Sequence, residues 1–193
     1  MRNLLILGLI LGLTLLVPPL PPDVLKQLQP WLPGSPAWGN LTAKEAVDLG
    51  EQLGFSGFQV YVIEDVEPNA AYMAWGDWND PRPSILLLGL ERVSHEAAVG
   101  AFLHELGHYH QFLTGTYDYT DPRLMEWEAD YFSMALGDRI GLNPWHQWFD
   151  WWAYHLRNGY DGSEDPGHGT IWQRFGYAMN KYQTLNAPKS EAL

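Results

Sequence analysis

Residues 94–113 read SHEAAVGAFLHELGHYHQFL, a block of helix length. Ser94 suits an N-cap, because its hydroxyl can accept from an orphan amide of the first turn. Thr114-Gly115 closes the block, glycine being the residue that tolerates the left-handed C-terminal turn. Val99, Phe102, Leu103 and Leu106 turn one side toward a core. Within this helix stands His104-Glu105-Leu106-Gly107-His108. Positions four apart share a face, with Cβ atoms about 6 Å from each other. Two imidazoles so spaced can bind one zinc through nitrogens at about 2.0–2.1 Å. Glu105 is angled too far round to join the same tetrahedron easily, yet it can reach a water held by the metal. That combination is two ligands and a general base. The alternative is a solvated His/Glu face. The apolar neighbours weigh against it, since buried His and Glu without partners are costly.

A catalytic zinc usually has three protein ligands and a water. The next helix starts at Asp121-Pro122, with Pro in the tolerated first turn, and carries Glu126-Trp127-Glu128-Ala129-Asp130. Glu126 and Asp130 share a face, and Glu128 points away from them. The loop from Leu113 to Asp121 is short and turn-rich, so the two helices are expected to pack antiparallel and bring Glu126 to the histidine pair. Asp130 is then placed to accept from the far ring nitrogen of a ligand histidine and fix its tautomer. Taken alone, Glu126 also fits a helix N-terminal carboxylate favoured by the dipole. His168, in the turn DPGHG before the last helix, is expected either as a loop or cap residue or as an oxyanion-stabilising group in the cleft. Arg174 has the same two readings. His95 and His110 lie off the ligand face and are expected at the surface. His146 and His155 are expected in packing or surface roles. Trp145, Trp148 and Trp152 make one stripe of their helix, read as core, with a membrane-facing belt as the minority alternative.

Around this centre the chain segregates its elements. Thr42-Ala43-Lys44-Glu45 is a capping box, opening a helix that stops at Gly54. Residues 58–63 (FQVYVI), 70–75 and 85–88 read as strands. Further helices are expected from Asn143-Pro144 to Gly159 and over 170–185. A helix, three strands and four helices make an α+β domain, expected over residues 41–187 with a tail at 188–193. Ahead of it, 23–40 reads as a Pro/Gly linker. Residues 1–22 read as a signal peptide or a membrane anchor: Arg2 precedes an aliphatic run at 4–17. As a helix that run would rise about 21 Å, short of a bilayer core of about 30 Å, which favours a signal, but no small-x-small cleavage site follows it closely. Both options stay open, and both put the domain outside the cytoplasm if Arg2 stays inside.

Composition limits the partners. A formal charge of −12 over 193 residues argues against a basic nucleic-acid groove and against docking on anionic lipid through a basic patch. With no cysteine, disulfides, thiolate metal ligands and a cysteine nucleophile are excluded.

His104–His108 followed by Glu126–Asp130 resembles the gluzincin zinc peptidases, whose active-site helix carries HExxH and whose later helix carries ExxxD. Pro68-Asn69-Ala70, the strand at 85–88 and the helix after Ser94 are similar in order to the HtpX and CAAX prenyl protease group. HELGHYHQFLTG with Gln111, and His168-Gly169-Thr170 with Gln173-Arg174, resemble the bacterial neutral zinc metallopeptidases. The resemblance covers roughly residues 68–174. It implies a zincin-like fold with a small sheet over the active-site helix. It also implies one Zn2+ on His104, His108 and Glu126, Glu105 as base, and a peptide substrate along an edge strand. The chain departs from the HtpX group in lacking its multiple membrane spans and in having His168-Gly169 where that group has His-Pro. The expected activity is a zinc-dependent endopeptidase acting on peptide or protein substrates outside the cytoplasm. A zinc-stabilised, inactive scaffold at the membrane and a metal-free helical domain are the alternatives.

Overall fold

The computed structural model describes residues 41–65, 68–74, 82–118, 120–163 and 167–186, the side chains of 144–150 excepted. All lie in the unit Trp38–Leu193. The expected leader at 1–22, the linker and the tail fall outside the described residues, as do the side chains of Trp145, His146 and Trp148. No described helix is long and apolar enough to cross a membrane.

The element order is α1 (Ala43–Gln52), β1 (Gln59–Ile63), β2 (Asn69–Met73), β3 (Ser84–Leu88), α2 (His95–Thr114), α3 (Pro122–Arg139), α4 (Pro144–Arg157) and α5 (Ile171–Asn186). The class is α+β, as expected. Local chemistry sets the boundaries. Thr42 and Glu45 form the reciprocal capping box, Ser94 accepts from Ala97 N at the start of α2, and Asp121 accepts from Leu124 N at the start of α3. Gly115 ends α2 at φ 69°. Thr170 and Gln173 make a second reciprocal pair at the start of α5, at 2.9 and 3.2 Å, the same device that opens α1.

The strand order is β1-β3-β2, with β1 parallel and β2 antiparallel to β3. β3, SILLL, takes the centre, which suits its almost unbroken apolar run. β2 is left as an edge strand. The sheet and α2 share one core, in which Ile85, Leu87, Phe102, Leu103 and Leu106 are fully buried. Phe102 reduced to alanine would cost about 3–5 kcal/mol. A second cluster, with Met134, Trp152, Ile171, Phe175 and Met179, joins α3, α4 and α5.

Small residues set how closely α2 and α3 approach. Gly100 and Gly107 are seven apart on α2, on one helical face. Ala129 and Ser133 are four apart on α3. Ser133 Oγ donates to Gly100 O at 3.0 Å. A Cβ on Gly107 would stand 3.1 Å from Ala129 Cα. Glu126, Ala129, Asp130 and Ser133 form one buried stripe of α3, so the contact that brings the helices together also carries the two carboxylates to α2.

Candidate metal centre

His104, His108 and Glu126 converge, with one donor atom from each lying within 4.8 Å of the others. His104 Nε2 is 3.1 Å from Glu126 Oε2, and His108 Nε2 is 3.3 Å from Glu126 Oε1. Two donors at about 2.0–2.1 Å from a tetrahedrally held divalent ion stand roughly 3.3–3.4 Å apart. The donor set and its spacing therefore fit a metal ion. The two imidazole planes are nearly perpendicular, at 89°.

Each imidazole is oriented from behind. His104 Nδ1 lies 3.0 Å from Asp130 Oδ1. His108 Nδ1 lies 2.9 Å from Gln111 Oε1. The Gln111 amide is itself fixed, because its Nε2 donates to Met125 O at 2.8 Å. Its oxygen must then face His108, which makes Nδ1–H the donor and leaves the Nε2 lone pair free for a metal. The Asp130 charge beside Nδ1 favours the same tautomer on a neutral His104, although the contact lacks hydrogen-bond geometry. Three residues after His108, Gln111 sits on the histidine's own side of α2, and that spacing was the sequence signal for its role.

Arg174 lies outside the expected pair of readings. It is 5% exposed and binds Asp130 through two hydrogen bonds, Nε at 2.7 Å and Nη2 at 2.8 Å. Its Nη2 is also 3.5 Å from Glu126 Oε2, and its guanidinium lies 4.6 Å from the centre of the Trp152 ring. The edge that would grip an oxyanion is thus committed to Asp130, and the residue holds carboxylates in place.

Burial and charge act together here. Burial disfavours the charged form of His104, but the acceptor carboxylates of Asp130 and Glu126 outweigh it and push the group up to about 10. Burial would likewise raise Glu126, and the two histidines hold it far below the carboxylate range. Burial also opposes ionisation of Asp130, which the Arg174 charge reverses. Glu105 behaves differently. It is 5% exposed, and burial raises it despite the nearby histidines. Among the described residues it accepts no hydrogen bond, and it lines the cleft beside His104 and His108. A raised carboxylate without a protein donor is suited to taking and returning a proton.

The cleft measures ≈ 1040 Å³ and runs past the edge strand β2, at Asn69, Ala70, Ala71 and Tyr72. His168 stands on its rim, with the side chain 42% exposed and Nε2 3.5 Å from Glu126 Oε1. It lies outside the three-residue donor group. Trp127, the neighbour of Glu126, pins its backbone by donating from Nε1 to His168 O at 3.0 Å. Gly162 and Gly169 meet in the same loop, where a Cβ on Gly162 would come within 2.5 Å of Gly169 O.

The remaining sequence expectations divide. Glu128 points away from the centre, bonded to Tyr177 and Lys181, and His95 is exposed. His110 is not a surface residue. It is half-buried and stacks on Phe132 at 4.7 Å, and the turn after α1 supplies Phe55 against it. His155 is on the cleft wall. Searched against protein-family models, curated proteins and solved structures, the chain matches none.

Proposed function

We propose that the chain is a zinc-dependent endopeptidase with a zincin-like domain. What carries this reading is the convergence of His104, His108 and Glu126 in a cleft that also receives the carboxylate of Glu105. Held by His104, His108 and Glu126, a zinc ion would polarise the scissile carbonyl and lower the pKa of the attacking water toward about 7. Glu105 takes the proton of that water and delivers it to the leaving amine as the C–N bond breaks. His168, held on the rim by Trp127, donates to the carbonyl oxygen as charge develops on it. The substrate backbone pairs with the edge of β2 that no described strand covers and whose residues line the cleft. An N-terminal segment that reads as a signal or an anchor fits an activity outside the cytoplasm, anchored or secreted, if Arg2 stays inside.

The test is Glu105→Gln in zinc-loaded protein assayed on a denatured protein substrate. Loss of about 10²–10⁴-fold in rate, with zinc content unchanged, is the expected outcome. Hydrolysis near the wild-type rate would remove Glu105 from the mechanism. A metal count on protein purified without chelator, with no zinc taken up on titration, would remove the peptidase altogether.

A further inference from the structure

One wall of the cleft is built almost entirely of rings. Trp151, Trp152, Tyr154 and His155 of α4 line it, with Tyr160 from the following turn. His155 is at the centre of this set. Its ring lies 5.1 Å from Trp151, 5.6 Å from Trp152, 5.6 Å from Tyr154 and 5.7 Å from Tyr160, between centroids. The planes meet at angles from 51° to 87°, so rings present edges to faces, the arrangement aromatic groups favour over flat sandwiches. The residues that α4 and this turn contribute to the cleft carry no formal charge.

The wall adjoins the metal centre. Trp152 packs against both His155 and the Arg174 guanidinium, and Arg174 reaches Asp130 and Glu126. A side chain seated on the wall therefore belongs to a residue close to the scissile bond. Burial and the Arg174 charge lower the pKa of His155, which favours a neutral imidazole with one donor and one acceptor nitrogen. Among the described residues those nitrogens have no hydrogen-bond partner, while the ring lines the cleft.

We infer that this wall is a specificity subsite for an aromatic side chain of the peptide substrate, with His155 hydrogen-bonding the hydroxyl of a tyrosine. The subsite rests on the peptidase reading above and adds the substrate class. An aliphatic side chain gains the area of contact without the edge-to-face geometry. Phenylalanine gains both, and tyrosine also pairs the imidazole. The expected order is tyrosine, phenylalanine, leucine, alanine.

The experiment uses the full chain loaded with zinc and a series of quenched fluorescent peptides. These are identical except for Ala, Leu, Phe or Tyr on either side of the scissile bond. Binding of the same peptides to the Glu105→Gln protein gives a readout independent of hydrolysis. Phenylalanine and tyrosine peptides should exceed alanine peptides about tenfold or more in kcat/KM and in affinity. His155→Leu should keep the phenylalanine advantage and abolish that of tyrosine over phenylalanine. Tyr160→Ala, at a position already 39% exposed, should reduce both, with zinc stoichiometry unchanged as the check on folding. Peptides cleaved at equal rates whether alanine or aromatic would overturn the subsite and leave the peptidase standing. Aromatic-selective binding to Glu105→Gln protein without cleavage by the wild type would keep the subsite and overturn the peptidase. Neither binding nor cleavage would overturn both.

Discussion

Replacing Gly107 with alanine should loosen the metal centre without touching a ligand. The new Cβ would stand 3.1 Å from Ala129 Cα, 3.3 Å from Ala129 Cβ and 3.3 Å from Ala129 O. Two of these are backbone atoms, so relief requires α3 to move as a body. Regaining ordinary contact at about 3.5 Å means a retreat of about 0.4 Å at least. Glu126 is three residues before Ala129 and moves with it. Metal–ligand distances tolerate about 0.2 Å, so the displacement is twice what the site accepts. Overpacking costs about 1–3 kcal/mol, and the better helix propensity of alanine offsets about 1 kcal/mol of that. The net loss of about 0–2 kcal/mol corresponds to a fall in Tm of roughly 0–8 °C for a chain of this size. Zinc affinity should weaken about 10–100-fold, the range seen when the support of a ligand is disturbed. Gly176→Ala is the control. Nothing lies within 4 Å of its Cβ position, so in the interior of α5 it should stabilise by about 0.5–1 kcal/mol. Thermal melts followed by circular dichroism, with chelator and with zinc, read the stability. Competition against a chromophoric chelator reads the affinity. If Gly107→Ala binds zinc as tightly as Gly176→Ala and melts no lower, the close approach of α2 and α3 does not set the position of Glu126.

Three further outcomes follow from the same geometry. Gln111→Leu removes the acceptor that fixes the His108 tautomer, and zinc affinity should fall about 10–100-fold; unchanged affinity in a chelator competition would show that His108 needs no such support. Arg174→Leu leaves Asp130 buried without its cation and should cost about 3–5 kcal/mol in urea unfolding. Adding Asp130→Asn should then cost far less than the sum of the two single changes, because they share one interaction; additive losses would contradict the pair. Zinc binding should release a proton at neutral pH, because His104 in the metal-free protein titrates at about 10 rather than near 6.5. Its raised value stabilises the metal-free fold fully below pH 6.5, and that contribution is lost as pH rises through about 10. Calorimetric titrations in buffers of different ionisation enthalpy count the proton, and a count of zero between pH 7 and 9 would place the His104 pKa below neutrality.

Much of the site could be read without coordinates because it is local. A histidine pair at i and i+4, a carboxylate pair at i and i+4, and caps at Ser94, Thr42 and Asp121 all depend on bonds that span three or four residues. A helix imposes those relations wherever it sits in a fold. Gln111 belongs to the same class, standing three residues from His108. The closeness of the two helices was also written locally, in Gly100 and Gly107 on one side and Ala129 and Ser133 on the other.

What tertiary structure alone decided is the set of contacts between elements far apart in sequence. The order β1-β3-β2 puts a parallel pair beside a hairpin, and strand periodicity carries no information about which strand lies in the centre. Arg174 meets Asp130 across 44 residues, which turned a candidate oxyanion group into a buried counter-ion. His155 shares its helix with residues that pack into the core, yet the way α4 crosses α2 and α3 puts its ring on the cleft. The amino-acid order determines which face of a helix is apolar and which donors are neighbours. Where that face comes to rest depends on packing between rigid elements, a property of many weak contacts at once that no short window of sequence contains.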